Sequence, residues 1–277
     1  MRQRTFAAMG TTIELLVEAD DAEQAFDASA AEFERLEQVM SRFRPTSELS
    51  RLNRDGVIDA SQELAEVVEL ALAARERTGG RFDPTVHDAL VGLGYDRTFA
   101  EIDPDNATPA TPARCGGGVN VDGRRIAVEP GYRLDLGGIG KGFAAERVAQ
   151  VLALAGPCLV NAGGDVAVRG VPAQGTWPVA VDASLTLGLD RGGLATSGCD
   201  RRRWRRSGAE IHHLIDPATG LPAVTDLIRV TAVGADAVDA EVLAKTLFLG
   251  GSGAAIASDV PAVLVTGDGR TIRTGGL

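Results

Sequence analysis

The chain has 277 residues, 44% of them apolar, which is enough to bury one large core or two small ones. Its 38 acidic residues against 28 basic ones leave a net charge of −10, which excludes nucleic acid and an anionic membrane surface as partners. Three cysteines (Cys115, Cys158, Cys199) without a CxxC spacing indicate neither a disulfide framework nor a zinc site.

The N-terminus, MRQRTFAAMGTTIELLV, lacks the apolar region and cleavage site of a signal peptide, and no run approaches the roughly 20 apolar residues of a membrane span. A soluble, cytoplasmic protein is therefore expected. TTIELLVEA (Thr11–Ala19) has strand composition. In the stretch that follows, Phe26, Ala30, Phe33, Leu36, Met40 and Phe43 recur at helical spacing and predict a long amphipathic helix. A second helix is predicted from Ser61 to Arg77, with Leu64, Val67, Val68 and Leu72 inward and Gly79-Gly80 as its stop. RFDPTVHDALVGLGYD then opens with a turn at Asp83-Pro84.

Residues 100–123 are rich in Pro, Gly, Asn and Asp and suggest a connector between two lobes. Beyond them the short strands RIAVEP and YRLDL lead to a glycine loop. A helix from about Lys141 to Ala155 follows, with Phe143, Val148, Val151 and Leu152 as its apolar stripe. PCLVNAG and DVAVRG read as strands. The last third alternates turns and strands, then gives a helix from about Ala237 to Leu249 and a hairpin turning at Gly267-Asp268-Gly269. Helices and strands that interleave without a regular βαβ period predict an α+β fold in one compact unit.

Four stretches bear on chemistry. LDLGGIGKG (Leu134–Gly142) fails as a nucleotide P-loop, because Asp135 stands at the first glycine position and Gly142 follows the lysine. Gly138, Gly140 and Gly142 give GxGxG rather than the GxGxxG of a dinucleotide fold. What remains is backbone N–H groups, a helix N-terminus and Lys141, a combination that binds anionic oxygens; a tight turn needing glycine dihedrals is the alternative. VNAGGDVAVRG is a second glycine turn, carrying Asp165. In SGCDRRRWRRSG five arginines surround Trp204, which suits a phosphate clamp or a solvated charged hairpin. HHLIDPATG holds two of the three histidines, His212 and His213, as either a loop base or a pair alternating in and out of a strand. Of the 28 basic residues only Lys141 and Lys245 are lysines, so these two are expected where a compact ammonium is needed.

Together, MGTTIEL, SRFRPTSELSRLN, GGRFDPTV, LDLGGIGKGFAAERV, LVNAGGDVAVRG, ATSG, HHLIDPATGLP and AEVLAKTLFLGG resemble, in order and over nearly the whole chain, the FAD:protein FMN transferases of the ApbE type. The resemblance implies a two-lobed α+β unit with a T-fold-like part and FAD in a cleft between the lobes. It also implies transfer of the FMN half of FAD to a Ser or Thr hydroxyl of an acceptor protein, with release of AMP. Met9, Phe43, Arg81, Phe82, Asp83, Gly137 and Phe143 fall where the family contacts FAD, with Asn53 and Asp165 nearby; Asp216 and Thr219 belong to the same DPxTG turn. His213 matches the proposed catalytic histidine, with Lys141 supplying charge, and Gly140 would offer its carbonyl to magnesium.

The late helix departs from the family pattern. Glu241 replaces the metal-binding Asp and Lys245 replaces a Thr that helps hold the ion, so that Lys245 either takes over the cation's task or leaves a reduced site on Gly140 and Glu241. FAD hydrolysis to FMN and AMP, or flavin binding without turnover, are the alternative functions. Family acceptors carry a motif of the form D-x-x-[ST]-G-A-[ST]; this chain has none, so self-flavinylation is not expected.

Overall fold

Apolar runs near both ends of the chain join one sheet and form its two opposite edges. The computed structural model describes residues 1–182 and 185–277. Its main strands are Arg2–Ala8 (β1), Thr11–Val17 (β2), Cys158–Ala162 (β3), Val166–Arg169 (β4), Gly193–Gly198 (β5), Leu227–Gly234 (β6), Ala262–Thr266 (β7) and Thr271–Thr274 (β8). They lie side by side in that order, and each neighbouring pair is antiparallel.

Helices enter this sheet at two places. Glu23–Met40 (α1), Glu48–Asp55 (α2), Gln62–Arg77 (α3), His87–Gly92 (α4) and Gly140–Leu152 (α5) all lie between β2 and β3, and Ala237–Ala257 (α6) lies between β6 and β7. The sheet thus consists of two halves, each with two strands, a helical insertion and two more strands. The seam between them is short: β4 and β5 pair only through Val166–Leu194 and Ala167–Gly193.

Local chemistry sets the element ends. Met9 and Gly10 both take positive φ, 51° and 67°, which gives the two-residue turn whose twist matches a β1–β2 hairpin. The Ser47 and Ser61 hydroxyls cap α2 and α3 by accepting from Ser50 N and Leu64 N. The α1 stripe stops at Met40 because Ser41 is extended, so Phe43 lies past the helix end in the turn that leads to α2. Helix α2, with only Leu49 and Leu52 buried, was too short to show a periodic stripe in the sequence.

Two expectations need correction. YRLDL forms no strand: the backbone bonds of Leu134 and Asp135 go to the Asn53 side chain and to the Pro84 carbonyl. Residues 100–123 are not a free connector. Asp105–Asn106 pairs with Arg205–Arg206, Val119–Asp122 pairs with Arg125–Val128, and the Arg75 guanidinium holds the carbonyls of Gly116 and Gly117.

The main core gathers Phe33 and Leu36 of α1, Val68 of α3 and Val148 of α5 with Ile13 and Leu15 of β2. Helix α6 packs Ala240, Ala244 and Phe248 on Ala232 and Leu264 of the second half. By length and hydropathy α6 could cross a membrane. It is a core helix instead, carrying Asp239, Glu241 and Lys245 and breaking at Gly251, where φ is 75°. A small lobe forms a separate cluster of Leu90, Leu93, Tyr95, Trp204, Ile211 and Ile215. Trp204 anchors the arginine-rich hairpin to this lobe, donating from Nε1 to the Leu93 carbonyl at 2.8 Å.

Candidate active site

A cleft of about 360 Å³ lies between the main body and the small lobe. One wall is the stretch Asp135–Lys141, which turns at Gly137–Ile139 and runs into the first residues of α5. Asn53 fixes its start, donating to the Leu134 carbonyl at 2.8 Å and accepting from Leu134 N at 2.7 Å. Asp135 then turns inward. It accepts from Gly137 N at 2.8 Å and pairs with Arg42 Nε at 2.6 Å, both side chains being more than nine-tenths buried. The Arg42 guanidinium also stacks on Phe43 and Tyr95, 4.2 and 4.6 Å from the ring centroids. This buried pair therefore ties the glycine loop to the aromatic wall.

The helices beneath the loop cross very closely. A Cβ on Gly142 would meet the Ala237 carbonyl oxygen at 2.6 Å, so only glycine lets α5 approach the start of α6. The approach brings four charges together. Lys141 Nζ donates to Asp165 and, at 2.9 Å, to Glu241 Oε1; Lys245 Nζ donates to the same Oε1 at 3.1 Å; and Gly142 N donates to Glu241 Oε2 at 2.9 Å. Burial works against ionising Glu241, but the charges of Lys141 and Lys245 and the Gly142 N–H outweigh it and hold the carboxyl well below the usual carboxylate range. The flanking carboxylates in turn keep Lys141 firmly protonated against its own burial.

The magnesium ion that the resemblance implies does not fit this donor set. Glu241 is fully buried and already takes three N–H donors, two of them cationic. A divalent ion about 4 Å from one ammonium would be repelled by about 8 kcal/mol at an effective dielectric of 20, and here two ammoniums stand by the carboxylate. Among the described residues no group of three or more His, Cys, Asp or Glu side chains is placed to hold a metal.

The two adjacent histidines divide the two readings between them. His212 is satisfied: its Nε2 faces the Ala223 carbonyl at 3.1 Å, Leu214 N donates to its Nδ1, and its ring packs edge-on against Phe248. His213 instead lines the cleft, with Nδ1 buried and without a partner among the described residues. Burial first, then the charges of Arg202, Lys245, His212 and Lys141, hold its pKa well below the ordinary 6.5, so the ring is a neutral imidazole.

Of the other residues singled out from the sequence, Met9, Phe43, Arg81, Phe82, Asp83, Gly137 and Gly140 line the cleft. Asp83 also orders its own turn by accepting from Thr85 N and Oγ1. Five do not line it. Phe143 faces the core, because its position on α5 points into the stripe with Val148. Both ends of the Asn53 amide are spent on the loop backbone. Asp216 accepts from Ala218 N, and with Thr219 it forms a turn that presents Ile215 and Pro217 to the cleft. Asp165 lies behind Lys141 as its counter-ion. Sequence reasoning missed Arg42, Tyr95, Phe99 and Arg202 on the cleft walls. Only Arg202 had a signal, the arginine run around Trp204.

The model of the ApbE family matches residues 9–262. The chain belongs to the ApbE family. It is 32% identical over 248 residues to an FAD:protein FMN transferase of Treponema pallidum, covering 77% of this chain and 67% of that protein. With the FAD:protein FMN transferase of Salmonella typhimurium it shares 28% over 258 residues, 84% of this chain and 74% of that one. Among solved structures, the ApbE protein of Thermotoga maritima superposes with a TM-score of 0.85 at 24% identity, covering 99% and 97% of the two chains. The ApbE flavin transferase of Vibrio cholerae does so with a TM-score of 0.78 at 25% identity, covering 99% and 97%.

Proposed function

We propose that this chain is an FAD:protein FMN transferase that moves the FMN half of FAD onto a Ser or Thr hydroxyl of an acceptor protein. One observation carries the reading beyond family membership: a single cleft brings a glycine loop and two ammoniums together with a neutral histidine whose buried Nδ1 has no partner among the described residues. The start of α5 and the ammoniums suit a diphosphate, and the Phe43 and Tyr95 rings suit the flat flavin. FAD is the donor substrate.

In the reaction the acceptor oxygen bonds to the phosphorus of the FMN half, and the bond from that phosphorus to the bridging oxygen breaks. AMP leaves with the bridging oxygen and its electron pair. The hydroxyl proton passes to His213, which is neutral and can accept it. Lys141, locked between Asp165 and Glu241, holds fixed positive charge at the loop without reorganisation.

Acceptor recognition through a D-x-x-[ST]-G-A-[ST] segment, in a cytoplasmic setting, completes the proposal. Mass spectrometry of such an acceptor incubated with FAD and this protein tests it. A gain equal to FMN with release of AMP is the expected result. Free FMN and AMP without a gain would make the chain an FAD hydrolase, and intact bound FAD would make it a binding module.

A further inference from the structure

We infer that the Lys245 ammonium does the work of a divalent cation at the FAD diphosphate, so that FMN transfer by this chain runs without metal. The inference rests on the flavin transferase reading and adds to it the source of the neutralising charge.

Lys245 is placed for that task. Its stem crosses the glycine loop: a Cβ on Gly138 would lie 3.3 Å from Lys245 Cε and 3.0 Å from the Phe82 ring. Its Nζ reaches Glu241 Oε1 at 3.1 Å, while the side chain, 16% exposed, also lines the cleft. An ammonium has three N–H donors, and among the described residues the only acceptor it meets is Glu241 Oε1. The others remain for an anionic oxygen in the cleft. Lys141 differs, with donors already committed to Asp165 and Glu241.

The charges of the cluster agree with this assignment. Lys141 and Lys245 balance Asp165 and Glu241 one for one, so the site carries no excess negative charge to recruit a cation. The negative charge that calls for neutralisation arrives with the substrate. Lysine rather than arginine also fits, because Phe82 and Gly138 confine the stem and a planar guanidinium is wider than an ammonium. These two positions are the only lysines in a chain that otherwise uses arginine.

The test measures FAD binding, by flavin fluorescence, and FMN transfer, by acceptor mass, on protein stripped with EDTA and then with or without added magnesium. The wild type should bind FAD and transfer FMN equally well in EDTA and in magnesium. Lys245→Met should lose FAD affinity in EDTA by about ten- to hundredfold, the loss of a charge-assisted contact. Lys245→Thr should lose activity in EDTA and recover part of it in magnesium, and circular dichroism must show both variants folded. Wild-type binding or transfer that collapses in EDTA and returns with magnesium would overturn the inference, as would a folded Lys245→Met variant with unchanged affinity. Binding that depends on Lys245 but not on metal, without transfer under any condition, would uphold the diphosphate role of Lys245 and sink the transferase reading instead.

Discussion

His213 and the Arg42–Asp135 pair show how single residues carry different burdens in this cleft. His213→Ala should retain FAD binding and lose about 10²–10⁴-fold in transfer rate, the usual worth of a positioned base; undiminished transfer would remove it from the mechanism. Because its pKa lies below 6.5, the acid limb of kcat/KM should also fall below pH 6.5. Arg202→Met removes one of the positive charges that hold the pKa down, so the limb should move to higher pH, and an unmoved limb would mean another group sets it. The same shift acts on stability: the unfolded chain gains this proton near pH 6.5 and the folded chain does not. Stability should therefore drop as pH falls below 6.5, by at most about 1.4 kcal/mol per pH unit from this group. Arg42 acts differently. Its partner Asp135 is 8% exposed, so Arg42→Met leaves a buried carboxylate unpaired and should cost about 3–5 kcal/mol in urea unfolding.

At the scale of elements, glycines decide where helices bend and touch. Gly251 breaks α6 with φ 75°, and a Cβ there would face Asp226 Oδ1 at 3.1 Å; Gly253, in the following turn, faces open space. Gly251→Ala should thus lose about 1–2 kcal/mol, whereas Gly253→Ala should gain about 0.5–1 kcal/mol, a difference in sign that thermal unfolding of the two variants checks directly. Such contrasts were not legible in the sequence, where both are glycines in one apolar stretch. The long helices were legible, because Phe26, Phe33 and Leu36 repeat at a period that only a helix turns to one side. Helix α2 and the Leu134–Asp135 segment were not. Their order comes from Ser47 and Asn53, single side chains that satisfy backbone groups without leaving a periodic trace.

For the whole molecule, the order of motifs revealed the cleft better than any one motif did. Lys141 and Glu241 lie 100 positions apart, yet share a hydrogen bond because α5 and α6 cross at Gly142. No local pattern reports that crossing. The division of the sheet into two halves was hidden for a related reason: the first half admits everything from Val17 to Cys158, while the second admits α6 at the equivalent place and the Arg203–His212 hairpin between its first two strands. The cleft draws on both the main body and the small lobe, with His213 and Ile215 on one side and Gly137 and Lys141 on the other. A ligand that spans it must couple the two. FAD at about 100 times its Kd should raise stability by about 2.7 kcal/mol, seen as a higher Tm. It should also slow hydrogen exchange in the hairpin Arg203–His212, whose anchor Trp204 belongs to the small lobe, as well as at the start of α5. Protection confined to α5 would place the ligand on the glycine loop alone and deny the small lobe any part in holding it.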